Sequence, residues 1–258
     1  MSMMKDLVCV SLFAFVLISC GKKAEDKKAD VTYVMKNFRI ESSAGCTSDT
    51  LQCASYEVNY PEFSGLDSAA DKKIRREVDA TVAMGNPEAE GKPMKQIAED
   101  FIKDYEDFKK EMPDAAGGWY YNAVVSVEVL TDTLISMTVQ QDYYTGGAHG
   151  GMETYFINVN PGTGAEFTLD NLLKSGYQKP LATIGEQIFR QVKEIPDTSS
   201  LNENYFEFPD DTFQLNKNYG FRKEGIVFYY NNYEIAPYAA GPTEVLIPFE
   251  SIREWIKN

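Results

Sequence analysis

Residues 119–160 read WYYNAVVSVEVLTDTLISMTVQQDYYTGGAHGGMETYFINVN, and this stretch decides the fold. "WYYNAVVSVEVL" and "LISMTVQQDYY" are rich in β-branched and aromatic residues and read as strands. "TDT" between them is short enough for an antiparallel hairpin. "TGGAHGG" then leads into a third strand, "METYFINVN". Three strands in a row, with no helical pattern between them, predict antiparallel sheet.

Outward from this core the pattern changes. Upstream, "VTYVMKNFRIE" (31–41) and "ASYEVNY" (54–60) are strand-like, and Pro61 is expected to stop the second. Two helical stretches follow. In "LDSAADKKIRREVDATVAM", Leu66, Ala70, Ile74, Val78 and Val82 recur every four positions on one face. In "MKQIAEDFIKDYEDFKKEM", Ile97, Phe101, Tyr105 and Phe108 share a side, and Pro113 with Gly117 and Gly118 ends the helix. Downstream, "PGTG" (161–164) turns the chain. A helix over 176–194 is predicted to present Leu181, Ile184, Ile188 and Val192. After the irregular connector "EIPDTSSLNENYFEFPDD", "TFQLNKNYGFRKEGIVFYYNN" reads as two strands around a glycine-containing turn. The aromatic run Phe228–Tyr233 alternates between core and surface of a strand. "EIAPYAAGP" is a loop, "TEVLIPF" a strand and "ESIREWIKN" a terminal helix. Runs of strands and runs of helices, rather than alternation, give an α+β fold, a largely antiparallel sheet with helices packed on one side.

The N-terminus concerns compartment. "MSMMKDLVCVSLFAFVLISC" (1–20) has Lys5 ahead of an apolar run from Leu7 to Ile18. That run is shorter than the ~20 residues a membrane span needs and has signal-peptide size. "LISC" resembles a bacterial lipobox, which implies cleavage before Cys20 and a lipid on its thiol. An acyl chain buries ~0.8 kcal/mol per methylene in a membrane. "GKKAEDKKAD" lacks large apolar residues and reads as a tether. The expected layout is a signal over 1–19, lipidated cysteine and tether over 20–30, and about 230 folded residues. In an exported chain, Cys46 and Cys53 are expected to form a disulfide, worth roughly 2.5 kcal/mol by the chain-entropy estimate.

The net charge of −14 opposes nonspecific nucleic-acid binding, which needs Lys and Arg against phosphates. It attracts a cationic partner, and it equally serves solubility. His149 is the one histidine in the chain. Metal-dependent carbohydrate deacetylation uses at least two histidines and a carboxylate around its metal, so a single histidine does not supply it. Nucleophile elbow, P-loop and dinucleotide fingerprint are absent. A dispersed serine triad or a carboxylate pair has no local signature. No residue is assigned a catalytic or metal-ligating role, and no cofactor is expected.

Three phrases carry a family resemblance: "YYTGGAHG" (143–150), "GTGAEFTLDNLL" (162–173) and "YEIAPYAAGPTEVLIPF" (233–249). They resemble the accessory domains of the peptidoglycan deacetylase PdaC and the extracellular, lysozyme-sensing domain of the anti-sigma factor RsiV. The resemblance covers roughly Val31 to Asn258. It implies a PdaC-like domain over 31–158 and an RsiV-like domain over 159–258. PdaC deacetylation resides in a separate catalytic domain, and RsiV also has a cytoplasmic segment and a membrane span, neither of which is expected here. The implied activity is binding, to a muramidase-type protein or to peptidoglycan glycan. A cell-wall hydrolase and a purely structural envelope lipoprotein are the alternatives.

Within "DYYTGGAHGG", Gly146, Gly147, Gly150 and Gly151 suit a tight strand connection. His149 is read as bonding a neighbouring carbonyl or carboxylate in that turn, or as a ligand contact with Tyr143, Tyr144 and Thr145. Tyr238, in the proline-bracketed "PYAAGP", is a further contact candidate, because a tyrosine offers an apolar ring and a polar tip.

Overall fold

The computed structural model describes residues 30–42, 52–83, 89–115 and 117–257. The signal-like segment, Cys20, most of the tether and Cys46 lie outside the described residues. Cys53 is buried just before the second strand. Its pairing with Cys46 remains a proposal.

Two sheets organise the chain. The first has five strands in the order β1 (Thr32–Glu41), β2 (Ala54–Ser64), β3 (Trp119–Leu130), β4 (Ile135–Tyr144) and β5 (Gly151–Val159). All neighbours are antiparallel except β2 and β3. That parallel pair follows from the connection, because helices α1 (Ser68–Thr81) and α2 (Met94–Glu111) intervene between β2 and β3 and a parallel pair requires a long crossover. The "TDT" hairpin forms as expected. Thr131 Oγ1 accepts from the amides of Thr133 and Leu134, and the Thr131 amide bonds the Leu134 carbonyl.

The helices cover one face of this sheet. Asp67 caps α1 by accepting from the Ala69 amide, and Ala70, Ile74 and Val78 turn inward. Ile74 and Val78 share one core with Tyr56, Val58, Tyr121, Val125, Met137 and Val139. Tyr56 stacks on Tyr121 at 4.5 Å. Both phenols are buried, and both are satisfied: Tyr56 donates to the Val82 carbonyl and Tyr121 to Gln141 Oε1. Burial pushes both hydroxyls up, so they stay protonated donors.

The second sheet, β6 (Tyr219–Phe221), β7 (Gly225–Tyr230) and β8 (Thr243–Pro248), is fully antiparallel. A one-turn helix α3 (Leu169–Leu172) and the longer α4 (Gln178–Val192) precede it. Phe189 of α4 centres a second core with Phe206, Phe208, Phe213 and Tyr230. The sheets join along β4, β5 and β6. Phe221 donates its amide to Ser136 Oγ, Asn158 Nδ2 donates to the Tyr219 carbonyl, and Phe156 lies over Gly220. An irregularity between Val127 and Val129 turns Val129 towards the second core, while Val127 stays in the first.

Several expectations are corrected. Pro61 does not stop β2, which runs on to Ser64. The pairing with β3 ends at Asn59, so β2 beyond it has β1 as its one sheet neighbour, and an edge tolerates a residue without an amide proton. On α4, Leu181, Ile184 and Ile188 pack on the second core as expected, but the fully buried stripe is Leu181, Gly185 and Phe189, and Val192 is exposed. Gly185 is the reason: a Cβ there would lie 2.9 Å from Leu215 and 3.3 Å from Phe213, so the helix seats deepest on its glycine. The aromatic run leaves its strand at Tyr230, and Tyr233 belongs to the following loop. The C-terminal segment Phe249–Trp255 is 3-10 rather than α-helical.

Candidate functional site

Tyr143 and Tyr144 end β4, and strand alternation sends them to opposite faces. Tyr144 stacks against Tyr120 at 6.4 Å and donates to the Gly147 carbonyl. Tyr143 points the other way, over Gly151. Gly146 and Gly147 have φ of +97° and +95°, the left-handed region that favours glycine. Gly150 and Gly151 are required for another reason. A Cβ on Gly150 would sit 2.5 Å from the Tyr143 carbonyl oxygen, and one on Gly151 would sit 2.4 Å from the Tyr143 ring. The glycines therefore let the turn close and let the Tyr143 ring lie flat on it.

His149 is exposed at the tip of this turn. Its Nδ1 lies 2.9 Å from the Gly150 carbonyl oxygen, to which a protonated Nδ1 donates. The ring stacks on Tyr238 at 4.9 Å, with 26° between planes. Tyr238 in turn faces Tyr233 at 5.4 Å. Tyr233 has a φ of 67°, uncommon for a residue with a side chain, and it is 63% exposed. Such a backbone costs on the order of 1 kcal/mol, and exposed Tyr205, with a φ of 66°, shares it outside this site.

Loop 231–241 is clamped to the edge of β5. Asn231 Oδ1 accepts from the Thr154 amide at 2.8 Å, and its Nδ2 donates to the Thr154 carbonyl at 3.0 Å. One side chain thus stands in for a sixth strand. The result is a cleft of about 200 Å³ with Tyr143, His149, Tyr233 and Tyr238 as walls and Glu153 and Asn232 between them. Glu153 is fixed from behind. Gln141 Nε2 and the Tyr155 hydroxyl donate to its Oε2 at 2.7 and 2.9 Å, and the Tyr143 hydroxyl lies 3.4 Å from Oε1. Burial, then the neighbouring carboxylate, pushes the Tyr143 and Tyr155 phenols up, so both remain donors at neutral pH.

Of the residues singled out in the sequence, the structure brings Tyr143, His149, Gly150, Gly151 and Tyr238 into this cleft. Tyr144 and Thr145 do not line it. Tyr233, Glu153 and Asn232 escaped sequence reading. Glu153 sits inside an ordinary strand, and Tyr233 was absorbed into an aromatic run. A more apolar concavity of about 240 Å³ lies between β1, β2 and the helices. The charged groups that line it have partners within the protein: Asp71 and Arg75 pair at 2.8 Å, Asp79 accepts from the Met94 amide at 3.2 Å, and Lys95 lies 3.6 Å from Glu99.

A first expectation separates turn geometry from ligand contact. Gly147 has nothing within 4 Å of a built Cβ, so Gly147→Val tests φ alone. It should lower stability by about 1–2 kcal/mol in a thermal or urea melt. His149→Ala, at an exposed ring, should stay within about 0.5 kcal/mol of the parent. A Gly147 variant that melts like the parent would show that the turn is unconstrained.

The comparisons with known proteins follow this layout. Residues 47–152 match the family model described as deacetylase PdaC, and residues 170–250 match that of a protein family of unknown function, DUF3298. The crystal structure of a DUF3298 member from Bacteroides fragilis aligns with a TM-score of 0.66 at 22% identity, covering 88% of this chain and 94% of that one. A DUF3298 family protein from Pseudomonas aeruginosa aligns with a TM-score of 0.59 at 18% identity, covering 88% and 95%. No curated protein matches the chain. At these identities the structural likeness establishes the fold. The donor set does not fit a deacetylase metal. His149 has no second histidine to join it, and among the described residues no group of three or more His, Cys, Asp or Glu side chains converges.

Proposed function

We propose that this protein is a lipid-anchored module of the bacterial cell envelope that binds peptidoglycan glycan without turning it over. The observation that carries the reading is the His149–Tyr238 stack, because it joins two loops 89 positions apart into one aromatic-walled cleft. Tyrosine rings offer flat apolar faces to the C–H faces of sugars. Glu153, held by Gln141 and Tyr155, and the Asn232 amide offer hydrogen bonds to hydroxyls and amides. A preformed cleft with aromatic walls and few polar groups is the usual form of a small-ligand site. The PdaC match over 47–152 supports an envelope-associated accessory role. The lipobox-like "LISC" supports anchoring at Cys20, with the tether ahead of two units divided near residue 158.

The net charge of −14 favours a second reading, in which a basic muramidase-type protein docks on the same exposed tyrosines. The two readings differ in salt dependence. Glycan binding to uncharged rings should change little between 50 and 300 mM salt, whereas docking of a basic protein should weaken.

The test is calorimetric titration of the full-length protein with purified glycan strands and, separately, with lysozyme. Saturable glycan binding without released product is expected. Tyr238→Ala should weaken it about five- to tenfold, since a lost stacking ring is worth about 1–1.5 kcal/mol. In the same preparations Cys20→Ser should move the protein out of the membrane fraction. Product release abolished by His149→Ala would establish the hydrolase alternative instead. Absence of any glycan or lysozyme binding would leave the structural-lipoprotein reading.

A further inference from the structure

We infer that the glycan site continues past the His149 cleft, around the edge of β5, into a second subsite, and that its ligand is an acetamido-sugar oligosaccharide rather than a single sugar. The inference rests on the glycan reading above and extends it.

A second concavity of about 340 Å³ lies between the outer face of the five-stranded sheet and the β7–β8 end of the second sheet. Met152, Glu153 and Asn232 line both concavities, so the two meet at β5. Strand register sets the second floor. Val124 pairs with Gln140, Gln140 with Thr154, and Asp142 with Met152, which places these side chains on one face in adjacent strands. Gln140 is exposed, and Met152, 65% exposed, stands as a ridge between the two spaces. Tyr229 and Pro242 close the far side. The cleft alone is smaller than the ~300 Å³ at which small-ligand sites begin, and joined to the groove it falls within their range.

The chemistry repeats on both sides of Met152. The two spaces share Asn232 and Glu153, and beyond Met152 the second adds a further exposed amide, Gln140, and a further carboxylate, Asp142, while Gln141 is buried and already bonded to Glu153. Repetition of one pattern suits a ligand that repeats. The charged side chains lining the two spaces, Asp142 and Glu153, are both acids. Densely charged phosphate-bearing polymers are therefore repelled, and the acetamido groups of amino sugars match the Asn and Gln groups.

The experiment is calorimetric titration of the full-length protein with β-1,4-linked N-acetylglucosamine of one, two and four residues. Affinity should rise at least tenfold from one residue to four. Gln140→Ala, an exposed position, should lower affinity for the tetramer at least threefold and leave the single sugar unchanged. Tyr238→Ala should weaken every length. Equal affinity at all lengths, or a Gln140 variant that binds the tetramer like the parent while Tyr238→Ala does not, would overturn the second subsite and leave the cleft standing. Failure of every length to bind would overturn the glycan reading with it.

Discussion

Phe189→Ala is expected to destabilise the protein by about 3–5 kcal/mol, the cost of a large aromatic removed from a core that collapses only partly. Phe189 is 0% exposed on α4. It meets Phe206 and Phe208 edge-on at 5.1 and 5.4 Å, Phe213 tilted at 5.3 Å and Tyr230 at 6.3 Å. Phe206 and Phe208 come from the connector, whose backbone bonds are short-range turns, such as Phe206 to Leu201 and Asp211 to Phe208, apart from the Glu207 amide on the Ile235 carbonyl. Removing the ring that both contact therefore loosens the connector as well as leaving a void. For a chain of this size the loss corresponds to a melting-point drop of about 6–20 °C. Phe189→Leu, which keeps most of the volume, should cost under about 1.5 kcal/mol. Urea unfolding of the three proteins decides. A loss below 1 kcal/mol for the alanine variant would mean that the second core does not depend on this ring.

The same residue shows where sequence reading stops. Leu181, Ile184, Ile188 and Val192 are the apolar positions a helical wheel selects; the first three do pack on the core, yet the deepest contacts are Leu181, Gly185 and Phe189. A hydrophobic count gives glycine no weight, whereas close packing gives it the position of nearest approach. In α1 no glycine intervenes, and the predicted stripe Ala70, Ile74, Val78 is the buried one. The meander of β3, β4 and β5 was legible because alternation and turn residues are local signals. The parallel pairing of β2 with β3 was not, because nothing in either strand names a partner beyond two helices. The functional cleft divides similarly. His149 and its glycines stand out as an unusual local composition. Their partner Tyr238 lies 89 positions away, and Glu153 is distinguished by the three donors that surround it rather than by its neighbours in sequence.

Asn231→Ala should have the largest effect on the cleft itself. Asn231 is the side chain that fastens loop 231–241 to β5, through both backbone groups of Thr154. Thr154 is buried, so its amide proton loses a partner in a place where water is poorly available. An unsatisfied buried donor costs about 1–3 kcal/mol. The carbonyl is affected less, because Asn218 Nδ2 also donates to it at 2.8 Å. Asn218→Ala is accordingly the milder change at that oxygen, although it also gives up a bond to the Tyr229 carbonyl. The loop carries Asn232, Tyr233 and Tyr238, so its release removes one wall of the cleft while the His149 turn stays in place. Asn231→Ala should thus lower the melting point by about 3–10 °C and abolish ligand binding even though Asn231 does not line the cleft. Hydrogen exchange gives the more direct reading. The Thr154 amide should exchange through local opening of the loop in the variant, and only through larger unfolding in the parent. A variant whose Thr154 amide stays protected would show that the loop is held by its packing, not by this clamp.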